Sequence, residues 1–190
     1  MILAKYVEKK TAVEIITNAF DTNPSVNIVI GDHGNRKKKI GRLAAYAFVK
    51  SMNRNGAFFS ENKMGTALCF HSKKGSPNMN EIWHEMRFAC SIPIKKVIQT
   101  LKREAYIKKF RFKGEHYYFW FLAVNNGAGK AAFEMKDYLF DLSKKEALPI
   151  LLETSVERNK LIYERYGFRT YHEWPNSGNG KTLWFMIREV

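Results

Sequence analysis

The chain carries only two cysteines, Cys69 and Cys90, in 190 residues. Two thiols cannot make a disulfide framework at this length, and neither sits in a C-x-x-C pair. Both are expected as ordinary buried thiols in a reducing compartment. No apolar run approaches the roughly 18 residues that a spanning helix needs. Met1 to Lys10 lacks the apolar core and small-residue cleavage site of a signal peptide. These absences predict a soluble, cytoplasmic protein with no membrane partner. The five histidines and two cysteines show no metal-ligand spacing, so no zinc or other metal is expected. Internal repeats and low-complexity tracts are absent. So are the P-loop and dinucleotide-binding glycine patterns and any helix-turn-helix, RRM or KH signature.

Acidic residues are also scarce: 18 Asp and Glu stand against 32 Lys and Arg, a formal net charge of +14. Such a charge steers anionic ligands and raises association with polyanions. It is spread over Arg36 to Lys39, Lys73-Lys74, Lys95-Lys96, Lys108-Lys109 and Lys144-Lys145, which fits a solvated surface better than a nucleic-acid groove. Apolar residues make up 45%, with 14 Phe and 9 Tyr, enough for a packed core and a sheet whose faces carry large rings. The length suits one domain over 1–190.

In the first half, Val7 to Phe20 and Arg36 to Met52 carry apolar residues at helical spacing. Asn23-Pro24-Ser25 breaks the first of these, and Asn53-Arg54-Asn55-Gly56 ends the second. Ala57 to Ser60 and Thr66 to Phe70 read as a hairpin turning at Asn62-Lys63. Helices over Met79 to Cys90 and Pro93 to Phe110 follow. Of these, Trp83, His84 and Arg87 are candidates for bordering a cleft.

The second half reads strand, Gly-rich turn, helix, strand, helix, strand, strand. His116 to Val124 is a continuous aromatic and aliphatic run, as in a central strand buried on both faces. Gly127 to Ser143 has helical spacing, Pro149 to Glu153 is a buried strand, and Glu157 to Tyr166 is a short helix closed by Gly167. Phe168 to Trp174 and Lys181 to Arg188 are strands joined across Asn176 to Gly180. The class is α/β: a mixed, mostly antiparallel central sheet with one parallel βαβ crossover, flanked by helices, with extra helices in the N-terminal half.

Val124-Asn125-Asn126-Gly127-Ala128-Gly129-Lys130-Ala131 joins a strand to a helix. Small residues let backbone amides approach a ligand, and the free N–H groups and positive dipole of a helix start favour phosphate. Further on, Asn159 and Tyr163 stand four apart, hence on one helical face.

These two stretches, in this order, resemble the GNAT superfamily of acyl-CoA N-acyltransferases. Leu122-Ala123-Val124 followed by Asn126, Gly129 and Ala131 is similar to its acetyl-CoA pyrophosphate motif. Asn159, Tyr163 and Gly167-Phe168 are similar to its later Asn/Tyr motif. The likeness covers residues 115 to 190; before that it is architectural. Two departures stand out. The loop before the glycines is short, and Asn126 replaces the usual Gln or Arg.

The resemblance implies an acetyl-CoA-dependent N-acetyltransferase whose acceptor amine, on a small molecule or a peptide, attacks the thioester directly. Leu122 and Val124 would hold the pantetheine through their backbone. Asn126, Gly127, Ala128, Gly129, Lys130 and Ala131 would hold the pyrophosphate, and Asn159 the pantetheine or a water. Tyr163 would be the general acid. His116 would be the general base, with Glu153 as a second candidate. A basic nucleic-acid-binding domain and a CoA-binding protein without catalysis remain the alternatives, and an exposed C-terminal sheet edge leaves room for a homodimer.

Overall fold

The structure is a computed structural model and describes residues 1–31, 34–178 and 180–190. Asn179, which falls within the expected final turn, lies outside the described residues.

Seven strands form one sheet: β1 (Ile2–Leu3), β2 (Ala57–Phe59), β3 (Gly65–His71), β4 (Tyr117–Val124), β5 (Ile150–Thr154), β6 (Arg169–Gly178) and β7 (Lys181–Arg188). Their spatial order is β1-β2-β3-β4-β5-β7-β6. Every neighbouring pair is antiparallel except β4 and β5, the pair joined by a helical crossover, as the sequence predicts. β6 forms the sheet edge near the C-terminus.

The helices are α1 (Lys9–Ala19), α2 (Pro24–Ile30), α3 (Arg36–Met52), α4 (Met79–Ala89), α5 (Ile94–Phe110), α6 (Gly129–Glu146) and α7 (Glu157–Arg165). The α2 helix was not expected. Asn23-Pro24-Ser25 does break α1, but the same residues start the next helix. The Asn23 side chain accepts from the amides of Ser25 and Val26, and Pro24 sits in the first turn. There its missing N–H costs nothing.

Side-chain alternation along the strands divides the core. On one face, Phe59, Leu68, Phe121 and Ala123 pack with Ile15, Ile16, Ile40 and Phe48 from α1 and α3. On the other, Phe58, Ala67, Cys69, Ile150 and Leu152 pack with Met135 and Leu139 of α6. The α5 helix covers β6 and β7 through Ile107, Tyr106 and Phe110. Cys69 is buried as expected, but Cys90 is exposed: it follows α4 on that helix's outward side. The α7 helix contains no fully buried residue. Its end is fixed by Gly167 at φ +84° and by the amide of Phe168 donating to the Tyr163 carbonyl at 3.0 Å.

One irregularity matters for the site. Leu68 pairs with Phe121, but the adjacent Cys69 pairs with Phe119. Trp120 is therefore an extra residue, a bulge that turns Trp120 and Phe121 toward the same side. Trp120 meets Tyr46 of α3 and Phe121 meets Phe20, each edge to face.

Gly56, just before β2, is held by close packing. A Cβ there would lie 2.4 Å from both the Cys69 carbonyl oxygen and the Phe70 Cβ. Gly56→Ala should cost about 1–3 kcal/mol through backbone displacement. That should lower the thermal midpoint by several degrees, as differential scanning calorimetry would register.

Candidate active site

β4 and β5 pair only at Tyr117↔Ile150 and Tyr118↔Leu151. Beyond these residues the two strands have no ladder between them. Amide directions alternate along a strand. Asn125 donates to the Met64 carbonyl on the β3 side, so the amides of Leu122 and Val124 point the other way, into the gap.

The gap opens into a cavity on each face of the sheet. The larger, about 530 Å³, is lined by Tyr118 to Val124, by Leu152 to Ser155, and by residues of α2, α3, α4 and α5. The smaller, about 400 Å³, lies between α6 and α7 and is lined by Phe133, Phe140, Ile162, Tyr166 and Phe168 among others. Phe119, Leu122, Asn159 and Tyr163 line both. Asn159 and Tyr163, one turn apart on α7, thus stand where the two cavities meet.

Among the described residues the Tyr163 hydroxyl has no hydrogen-bond partner. Burial raises its pKa to about 12, which keeps the phenol protonated at neutral pH and available as a donor.

Gly127, at φ +80°, turns the chain from β4 into α6. The Ala128 amide is taken by the Asn125 carbonyl and the Ala131 amide by the Ala128 carbonyl. The amides of Gly127, Gly129 and Lys130 have no protein partner among the described residues. A Cβ built at Gly127 or at Gly129 would meet no protein atom within 4 Å. Packing explains neither glycine: Gly127 has a positive φ that favours glycine, and at Gly129 the space beside the helix N-terminus is open, where an anionic group could approach the free amides. Asn126 and Lys130 are exposed beside it.

Beneath the larger cavity lies a buried polar group that the sequence indicated only at Glu153. The Tyr118 hydroxyl donates to Glu153 Oε2 at 2.6 Å. Arg111 donates to both carboxylate oxygens, at 3.1 and 3.3 Å, and its guanidinium lies 3.9 Å from the Tyr118 ring centre. Burial opposes the Arg111 charge, but Tyr118 and Glu153 outweigh it and raise its pKa. Burial also holds the Tyr118 phenol well above its usual range. Arg111 was missed because it caps the end of a lysine-rich helix, where sequence alone makes it look like surface.

His116 does not line either cavity. It is buried at the far end of β4, with Nδ1 2.7 Å from the Gly114 carbonyl. Burial lowers its pKa despite that bond. Nor do Trp83, His84 and Arg87 border the cleft. Trp83 is exposed with Arg87 over its ring, and His84 bonds Lys9 and the Asn80 carbonyl. The α4 residues on the cavity are Glu85, Phe88 and Ala89 instead, roughly a third of a turn away on the same helix.

Arg111→Met would leave the Glu153 carboxylate buried without its cation. It should destabilise the fold by about 3 kcal/mol or more. Adding Glu153→Gln should recover most of that loss, which a double-mutant cycle of urea unfolding would measure.

No protein-family model and no curated protein sequence matches the chain. Solved structures do resemble it. The C-terminal condensation domain of Ebony, in complex with beta-alanyl-dopamine, superposes with a TM-score of 0.67 at 10% identity, over 98% of this chain and 96% of that one. A protein from Corynebacterium glutamicum, described as histone acetyltransferase HPA2 and related acetyltransferase, gives 0.64 at 15% identity, over 100% and 95%. Arylalkylamine N-acetyltransferase 2 from Aedes aegypti gives 0.62 at 13% identity, over 99% and 97%. With its mixed seven-stranded sheet, the single parallel pair parting beyond Tyr118 and the glycine turn at the end of the parted strand, the chain has the acyl-CoA N-acyltransferase fold, the fold of the GNAT superfamily.

Proposed function

We propose that the protein is an acetyl-CoA-dependent N-acetyltransferase acting on a small-molecule amine. The observation that carries this reading is the gap between β4 and β5, with free backbone donors along one wall and a glycine-lined helix start at its end. An extended, amide-bearing arm attached to a pyrophosphate matches both features. The Leu122 and Val124 backbones would pair with the pantetheine amides. The residues from Asn126 to Ala131, with the Gly127, Gly129 and Lys130 amides foremost, would receive the pyrophosphate. Asn159 would hold the arm or an ordered water. Acetyl-CoA supplies an acyl group already activated as a thioester.

The remaining work falls to the chain. Its two cavities bring donor and acceptor together from opposite faces of the sheet, and such positioning lowers the barrier substantially. The Val124 amide points into the gap, where it can stabilise negative charge developing on the acyl oxygen. Tyr163 is the general acid for the departing sulfur: its burial keeps it protonated, and its hydroxyl is uncommitted. The base role expected of His116 falls instead to Glu153, which lines the acceptor cavity. Arg111 and Tyr118 fix the position of that carboxylate, and Glu153 takes the proton of the incoming amine through an intervening water. Among the similar solved structures, the beta-alanyl-dopamine complex and the arylalkylamine N-acetyltransferase support a small amine as the acceptor.

Tyr163→Phe should lower kcat by about a hundredfold or more while leaving acetyl-CoA affinity within about twofold. A Tyr163 variant with unchanged turnover would remove the residue from this role. Because its pKa is raised to about 12, the Tyr163 contribution to stability is complete below about pH 10 and is lost as pH rises from about 10 toward 12. The same protonation limit should leave no alkaline loss of kcat below about pH 11.

Isothermal titration with acetyl-CoA tests the donor site directly. We expect saturable one-site binding in the parent. In Gly129→Val the added side chain meets open space rather than protein, so thermal stability should hold within about a degree while affinity falls at least tenfold. Binding that survives Gly129→Val would contradict the assignment. Saturable binding with no acetyl transfer across a panel of arylalkylamines and polyamines would point to a CoA-binding protein without catalysis.

A further inference from the structure

β3 and β4 are adjacent antiparallel strands, which a tight turn of a few residues can join. Here residues 72 to 116 intervene and form α4 and α5. This insertion roofs the larger cavity, but its outward faces do not behave like ordinary solvated helix surface. On α5 the fully buried residues are Arg103 and Ile107. Meanwhile Ile94, Ile98 and Leu101 stand 74%, 49% and 63% exposed. Their spacing of four and three puts them in one row along the helix; Ile94 and Ile98 are turned outward, and Leu101 stands at the rim of the larger cavity. The outward part of the row is thus aliphatic where a helix packed on a sheet ordinarily presents polar residues to solvent.

A second row runs beside the first. Lys95, Lys102 and Lys109 recur every seven residues, so they lie along one line next to the apolar row. All three are exposed, and among the described residues none pairs with a carboxylate. The single acidic residue of α5, Glu104, faces the cavity. On α4 the pattern repeats with Met79, Trp83 and Met86, exposed at 80%, 51% and 58%, with Arg87 beside them.

We propose that this α4–α5 face is a peripheral docking surface for a bilayer rich in anionic lipid, with α5 lying in the interface plane. An aliphatic row bordered by lysines whose alkyl stems reach past it is the side-chain arrangement that such a surface requires. The lysines meet acidic headgroups while the aliphatic row enters the acyl boundary. A second copy of this chain is a poor occupant, because the lysine rows would face each other. The absence of a spanning segment, from which no membrane partner was expected, does not bear on this: no described helix is long and apolar enough to cross a membrane, and a helix lying flat needs neither the length nor the uniform apolarity. Residues of both α4 and α5 line the larger cavity, so docking would hold that wall of the cavity close to the lipid surface.

Vesicle co-sedimentation at physiological salt tests the assignment. The full chain should sediment with phosphatidylcholine vesicles containing 30% phosphatidylserine, and not with phosphatidylcholine alone. Ile94→Glu with Ile98→Glu should reduce the bound fraction at least tenfold, with thermal midpoint and acetyl-CoA binding unchanged. Lys95→Gln, Lys102→Gln and Lys109→Gln together should do the same. A control that removes equal charge elsewhere, Lys144→Gln, Lys145→Gln and Lys181→Gln, should keep at least half of the binding.

Equal loss in that control would overturn the proposal in favour of bulk attraction by the net charge. Failure to sediment with anionic vesicles would also overturn it and leave the face to a protein partner. So would self-association in the absence of lipid that the two isoleucine substitutions abolish. None of these readouts depends on acetyl transfer, so the outcome stands apart from the proposed activity.

Discussion

The structure turns on a hydrogen-bond ladder that stops. β4 and β5 pair at two positions and then part, leaving the Leu122 and Val124 amides pointing at empty space in the middle of a sheet. Buried backbone donors without partners cost free energy, so such a gap persists only where the surrounding fold compensates. The compensation is visible on both sides. β3 secures one edge of β4 over its whole length, β7 secures β5 from Ile150 to Thr154, and the aromatic packing around Trp120 and Phe121 braces the strand where it bends. The cleft is therefore a property of the sheet, and the helices only furnish its walls.

The gap also separates two kinds of chemistry. On the α6–α7 side the walls are mostly aromatic and aliphatic, with Lys136, Asn159 and the Tyr163 hydroxyl as the polar groups. On the α3–α4–α5 side, carboxylates and cations alternate around aromatic rings. The buried group of Tyr118, Arg111 and Glu153 fixes one boundary of that side, since each of its members satisfies another. A chain with a large excess of positive charge thereby places a carboxyl side chain, Glu153, on the wall of its larger cavity. Local pairing, not overall charge, sets the character of the pocket.

Much of the second half was legible from sequence because its signals are local. The glycines after Val124 show open space because no packing demands them. Gly167 ends a helix through its backbone conformation, and the four-residue spacing of Asn159 and Tyr163 fixes a common face. The sequence could not show the parting of β4 and β5, which is a tertiary relation between strands 30 residues apart. It could not show the bulge at Trp120 either, because an unbroken apolar run from Tyr117 to Val124 has no polar alternation in which a slip would appear. The misplacement of the α4 cleft residues has a similar cause. Trp83 and His84 lie on a helix correctly identified, but its rotation is set by how His84 and Phe88 bury against α1 and α3, and that rotation carries Glu85 to the cavity in their place.

The α7 helix, which presents both Asn159 and Tyr163, has no fully buried residue and is tied at its C-terminal end by the Gly167 turn. Regions with few buried contacts open locally at a fraction of the global unfolding free energy. The two side chains proposed to act on the ligand thus ride on an element less firmly held than the strands they face. A ligand threaded through the gap would bind the closed form of this helix alone, and so would draw on its local stability. Under the proposed function, the turn at Gly167 would then set affinity from a distance: loosening it would weaken binding without removing a single contact, because each ligand would have to close the helix first.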